Sequence, residues 1–241
     1  MRLAILLTSL LFTLSSNAND LKLVKSFFET NGIQNKSEVY IGEMLEHHIN
    51  RPTLGKNIPA NVNRTYRVLE KDKKRAIYAV LLTQGKQSQD WYAYLKKDKG
   101  TWKLSAIRNL ALPGLFFMAL QQAEEKATRN NKEEQNYQNM LLTIKTDSEL
   151  KQYLNDNLKQ LTEIVKLASS DIDLAKEKAE SIFLNHVSKS NDLININIGG
   201  MLDNSVGYLF APNNKDVPSM SDSEYIYIEH VIGNWYIYKT T

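Results

Sequence analysis

The chain has 241 residues, 42% of them hydrophobic, with 30 Lys+Arg against 27 Asp+Glu and no cysteine. A formal charge of +3 with basic residues scattered singly or in short turns argues against a nucleic-acid surface, which gathers them on one face. The missing cysteine excludes disulfides and an acylated lipoprotein anchor, so stability must come from packed cores.

Met1-Arg2, an apolar run from Leu3 to Leu14 and then Ser15-Ser16-Asn17-Ala18 read as a basic leader, a hydrophobic stretch and a small-residue cleavage site. The run is shorter than the roughly 20 apolar residues that cross a bilayer. Residues 1–18 are therefore expected to be a secretory signal peptide cut after Ala18. The remainder would then work in a bacterial periplasm or outside the cell, with no membrane span once the signal is removed.

Asp20–Thr30 places Leu21, Val24, Phe27 and Phe28 on one helical face, and Ser37–Asn50 does the same with Ile41, Met44, Leu45, His48 and Ile49. Four strands follow, predicted at Asn61–Glu70, Arg75–Thr83, Asp90–Lys96 and Thr101–Arg108, joined by Lys71-Asp72-Lys73-Lys74, a Gln/Gly/Ser loop and Lys97-Asp98-Lys99-Gly100. Leu112-Pro113-Gly114 ends that sheet. Leu115–Ala127 and Tyr137–Ile144 are a helical connector too apolar to hang free.

Thr146-Asp147-Ser148-Glu149 is a capping box ahead of the stripe Leu150, Tyr153, Leu154, Leu158, Leu161, Ile164 and Val165. Ser169-Ser170-Asp171 opens another helix that carries Ile172, Ala175, Ala179, Ile182, Phe183 and Val187. Strands are then predicted at Leu193–Ile198, Ser205–Ala211, Glu224–Glu229 and Asn234–Tyr238. Tyr92-Ala93-Tyr94-Leu95 aligns with Tyr225-Ile226-Tyr227-Ile228, and Gly100-Thr101-Trp102 with Gly233-Asn234-Trp235, at one common offset. This implies an internal duplication. The expected fold is α+β, with two related domains, each placing N-terminal helices on a curved four-stranded antiparallel meander. The boundaries are a signal at 1–18, a first domain at 19–112, a connector packed on the sheets at 113–145 and a second domain at 146–241.

Paired helices leading into a meander whose last strand carries Gly-x-Trp, here Gly100 with Trp102 and Gly233 with Trp235, resemble the NTF2-like and cystatin-like α+β group. That resemblance implies a sheet curved around a helix to form a cone. Such a cone holds a ligand, binds a protein, serves only as core or, in some members, acts as an isomerase or dehydratase.

An isomerase cone needs a carboxylate base beside a hydrogen-bond donor. The central strands at 76–82, 92–95, 206–211 and 225–228 contain no Asp, Glu or His. No catalytic residue is therefore assigned, and no cofactor. The aromatic residues Tyr78, Tyr92, Tyr94, Trp102, Tyr208, Tyr225, Tyr227 and Trp235 are the candidate ligand or partner surface, set against their reading as ordinary core aromatics. Glu43 and His47, four apart on one helix, are weak metal candidates, because a catalytic zinc needs three good ligands. The other histidines, His48, His186 and His230, read as core-edge or turn residues. The expectation is an exported, non-catalytic binding protein of the bacterial envelope that engages a protein partner or a small apolar ligand. The rival readings are an isomerase- or hydrolase-like enzyme and a structural subunit of an envelope assembly.

Overall fold

The computed structural model describes residues 19–241. The expected signal peptide lies outside the described residues. The chain is α+β, with two antiparallel sheets of four and five strands. It divides into a unit ending at Arg108 and a unit running from Asn109 to Thr241.

The first unit begins with α1 (19–28), followed by the short turns α2 (Lys36–Val39), α3 (Glu43–His47) and α4 (Leu54–Asn57). The long helix expected over 37–50 breaks at Gly42, whose φ is +56°. Instead of continuing the helix, Ile41 donates its N–H to the carbonyl of Leu104 at 3.0 Å, and Tyr40 forms a parallel bridge with Leu104. The chain gains an extra rung on the sheet edge in exchange for the unbroken helix.

Strands β1 (Asn63–Lys71), β2 (Arg75–Gln84), β3 (Gln87–Asp98) and β4 (Thr101–Arg108) form a meander in sequence order. The β1–β2 turn is held by Asp72, whose Oδ1 accepts from the N–H groups of Lys74 and Arg75 at 2.6 and 2.7 Å. At the β3–β4 turn, Lys99 and Gly100 both take positive φ.

Side chains alternate along β2. Ala76, Tyr78 and Val80 meet Val24, Phe27, Phe28, Tyr40 and Met44 from the helices, together with Ala93, Leu95, Trp102 and Leu104 from β3 and β4. Ile77 and Ala79, on the opposite face, are buried as well. Sealing a side chain such as Phe28 from water contributes roughly 1.5–3 kcal/mol.

The second unit carries α5 (Gly114–Glu124), α6 (Asn131–Thr143), α7 (Asp147–Asp156), α8 (Leu158–Ser170) and α9 (Ile172–Glu180). Capping boxes start α6 (Asn130 with Glu133) and α7 (Thr146 with Glu149), the second as expected. The single stripe read from 150 to 165 is two helices, because Asn157 leaves helical geometry between them. The helix expected to run to Val187 stops at Glu180. Phe183 turns left-handed while Leu184 donates back to the carbonyl of Ala179 at 3.0 Å.

This early stop frees a strand that the sequence reading missed, β5 (His186–Ser190). His186 is thus an exposed strand residue, not a helical one. Next come β6 (Leu193–Met201), β7 (Asn204–Phe210), β8 (Tyr227–Ile232) and β9 (Trp235–Lys239). The sheet order is β5-β6-β7-β9-β8. The C-terminal strand is therefore inserted between β7 and β8, and the expected four-stranded meander is corrected to five strands with a crossover. The aligned motifs occupy non-equivalent places: Tyr92 and Tyr94 lie on the interior strand β3, whereas Tyr227 starts the edge strand β8 and Tyr225 precedes it. Trp102 is on the edge strand β4, whereas Trp235 is on the interior β9.

Helix α6 packs on β6, α9 on β5 and α7 on β9, so the segment expected to be a connector belongs to the second unit. No helix among the described residues is long and apolar enough to cross a membrane.

Candidate functional site

The expected aromatic surface is not a surface. Tyr78, Tyr92, Tyr94, Trp102, Tyr208, Tyr227 and Trp235 are all buried, and only Tyr225 is half-buried. Two of the buried hydroxyls are engaged within the second unit. The Tyr208 hydroxyl donates to the carbonyl of Leu150 at 2.8 Å, and that of Tyr227 donates to Glu229 Oε2 at 2.7 Å. Trp235 packs edge-on to Phe210 with ring centres 5.1 Å apart, and Tyr225 packs edge-on to Tyr238 at 5.9 Å. Burial, followed by a hydrogen bond with Asp20, pushes the Tyr78 phenol well above its ordinary pKa. These are core aromatics, because strands apolar on both faces are covered on both faces.

Glu43 and His47 do not come together as ligands. Arg108 grips the Glu43 carboxylate with both ends of its guanidinium, Nη1 lying 2.9 Å from Oε1 and Nη2 contacting Oε2. His48 Nε2 lies 3.7 Å from Glu43 Oε1, while His47 faces Glu46 at 4.0 Å in an exposed position. The Arg108 hydrogen bond holds Glu43 below its ordinary pKa. Burial, then the charge of Arg51, lowers that of His48. A guanidinium this close competes directly with a metal cation, and no group of three or more His, Cys, Asp or Glu among the described residues is placed to hold one.

The first unit carries an open cleft of about 640 Å³, within the size range of small-molecule sites. Three segments build it. Helix α1 contributes Asn19, Lys22, Leu23 and Ser26, a stripe spaced at one turn. The loop after α1 adds Gly32-Ile33-Gln34-Asn35, and the short α2 that continues it adds Val39. The β3–β4 hairpin closes the cleft with Lys97, Gly100, Thr101 and Trp102. Two turns shape its mouth: Gly32, at φ +65°, leaves no room for a Cβ, which would lie 2.5 Å from Thr53 Oγ1, and Gly100 has φ +86°.

Among the described residues, the lining holds two ammonium groups, three side-chain amides and the apolar bodies of Leu23, Ile33, Val39 and Trp102, with no carboxylate and no imidazole. Trp102 is the one residue of the expected aromatic surface that reaches this cleft. Its ring lies 5.5 Å from Lys97 Nζ and 5.8 Å from Lys71 Nζ. Among the described residues, no carboxylate stands within ion-pair distance of Lys22 or Lys97. Lys71, by contrast, is engaged behind the wall with Asp20, a carboxylate sealed completely from solvent.

Sequence reasoning missed both the cleft and the buried Asp20. The one available signal was an acidic residue standing next to the apolar stripe of α1. It missed in the same way the buried pair Lys239–Asp147 of the second unit. Chemically the cleft offers positive charge, amide hydrogen bonds and an apolar wall. It has no acid–base pair, and Ser26, its serine, spends its hydroxyl proton on the carbonyl of Lys22 at 3.0 Å. Comparison of the chain with family models, with curated proteins and with solved structures finds no match in any of the three.

Proposed function

We propose that this is an exported, non-catalytic binding protein of the bacterial envelope, and that its ligand is a small molecule joining an acidic group to an apolar body. The observation that carries this reading is the cleft of the first unit: Lys22 and Lys97 stand beside Leu23, Ile33 and Trp102 with no carboxylate among the described residues that line it. An ammonium without a fixed counter-ion attracts an anion most strongly where an apolar wall displaces water. The expected apolar ligand thereby acquires a charge. The protein-partner reading drew its support from exposed aromatic sheets, and the burial of those side chains removes that support. Export rests on the leader at 1–18. The likeness to NTF2-like and cystatin-like domains is retained for the first unit, where helix α1 lies on a four-stranded meander.

The test is a titration of residues 19–241 with 2-naphthoate and with the uncharged 2-naphthalenemethanol, followed by amide chemical shifts. Saturable shifts at 19–26, 32–39 and 97–102 with the acid, and much weaker ones with the alcohol, are the expected result. Equal response to both compounds, or shifts scattered elsewhere, would overturn the reading. Fractionation of the producing cell tests export: recovery of uncut chain in the cytoplasm would contradict it.

A further inference from the structure

We infer that signal-peptide removal completes the anion site, because cleavage after Ala18 places a new α-ammonium group on Asn19, a residue that lines the cleft. The inference rests on the binding reading above and adds to it a maturation step. Asn19 is itself a lining residue. It sits three positions before Lys22, on the same helical face, so the amine, Lys22 and Lys97 surround one space.

The position of Asn19 is set by its neighbour. Asp20 is sealed from solvent; its Oδ1 accepts the N–H of Leu21 at 3.0 Å, its Oδ2 meets the Lys71 ammonium, and the Tyr78 hydroxyl hydrogen-bonds it as well. A residue attached directly to so fixed a side chain has little freedom to swing away. Cleavage thus delivers a charge to a defined place and not to a loose tail.

Before cleavage the nitrogen of Asn19 is an uncharged amide. After it, the group is an amine, ordinarily protonated at neutral pH. A positive charge at the start of a helix is unfavourable against the helix dipole, and Asp20 is already matched by Lys71. An anion in the cleft relieves that conflict while pairing with the two lysines. The uncut chain therefore binds acidic ligands several-fold more weakly than the mature chain.

The experiment compares three forms of residues 19–241: the free amine, the same chain acetylated at the Asn19 nitrogen, and the K22A/K97A variant. Each is titrated with 2-naphthoate from about pH 7 to about pH 9. Acetylation is expected to weaken binding about fivefold, as one lost exposed charge pair does. It is also expected to flatten the decline in affinity with rising pH that the free amine imposes. K22A/K97A is expected to lose most binding. If acetylation changes neither affinity nor pH profile while K22A/K97A still abolishes binding, the maturation step is wrong and the binding reading stands. If K22A/K97A binds as well as the parent chain, or the free-amine chain does not bind naphthoate, both fall.

Discussion

Lys239 Nζ lies 2.8 Å from Asp147 Oδ1, joining the last residue of β9 to the first turn of α7 across 92 positions of chain, with side chains only 4% and 5% exposed. Lys239 also stands 5.9 Å from the ring of Tyr227, whose hydroxyl leads on to Glu229 and from there to Lys151 at 2.7 Å. The pair ties a helix to an interior strand of the second sheet. Removing one member leaves the other charge buried without its match, which costs about 3–5 kcal/mol. Both D147A and K239A are therefore expected to destabilise strongly, whereas D147L/K239M, which removes both charges at similar volume, should cost far less. Urea unfolding of the three variants decides it: near-additive losses in the double variant would mean the pair is not coupled.

The insertion of β9 between β7 and β8 makes the C-terminus indispensable to the second sheet. Deleting residues 235–241 removes five consecutive buried side chains and leaves β7 and β8 without their shared partner. Loss of dispersed amide signals throughout 186–232 is the expected outcome. If β9 were an edge strand, as the sequence pattern implied, β5 to β8 would keep their native spectrum.

At Gly55 the backbone of α4 packs tightly against the end of α1. A Cβ there would stand 2.2 Å from the carbonyl oxygen of Glu29 and 2.4 Å from the carbonyl carbon of Phe28. Main-chain atoms cannot rotate aside as a side chain can, so the elements must separate. G55A is expected to cost about 1–3 kcal/mol by overpacking, visible as a lower thermal midpoint. A neutral result would show that α4 moves freely against α1.

The Glu43–Arg108 contact makes a pH-dependent contribution. The folded state holds the Glu43 carboxyl below its ordinary value of 4.5, so the stabilisation is present above that value. It is lost as pH falls through the lower, folded value. Because Glu43 is 37% exposed, the effect is modest. The pH dependence of unfolding below about 4.5 is expected to be shallower in R108Q than in the parent chain. An unchanged slope would remove Glu43 as its source.

Much of the local structure was legible because it is written in short-range chemistry. Thr146 and Glu149 form the capping box their spacing announces, and β2 and β4 lie where the alternating segments indicated. The failures are equally specific. A run of periodic residues cannot show that Gly42 will adopt positive φ, because the reason is a backbone bond offered by Leu104, more than sixty residues away. Ile182, Phe183 and Val187 fit a helical period, yet β6 provides His186 and Val187 with strand partners at Asn197 and Ile196, and that pairing prevails.

The candidate site was harder to read for the same reason. Counting aromatics on strands finds side chains of high burial value, and burial is what the fold does with them. Trp102 alone also borders a cleft, because its hairpin turns toward α1. Lys22 and Lys97 are unremarkable surface lysines in the sequence. They become a candidate site because helix and hairpin line one cleft with no carboxylate among its described lining residues.

By itself the amino-acid sequence determined the absence of disulfides, the α+β content and most turns, all set by composition or by neighbours a few residues apart. Only the tertiary structure decided the order of the second sheet, the burial of the tyrosines, the matched charges of Asp20 and Asp147, and the cleft. Each depends on which distant strand edges and helix faces meet, and packing, unlike propensity, is settled only when the whole unit has closed.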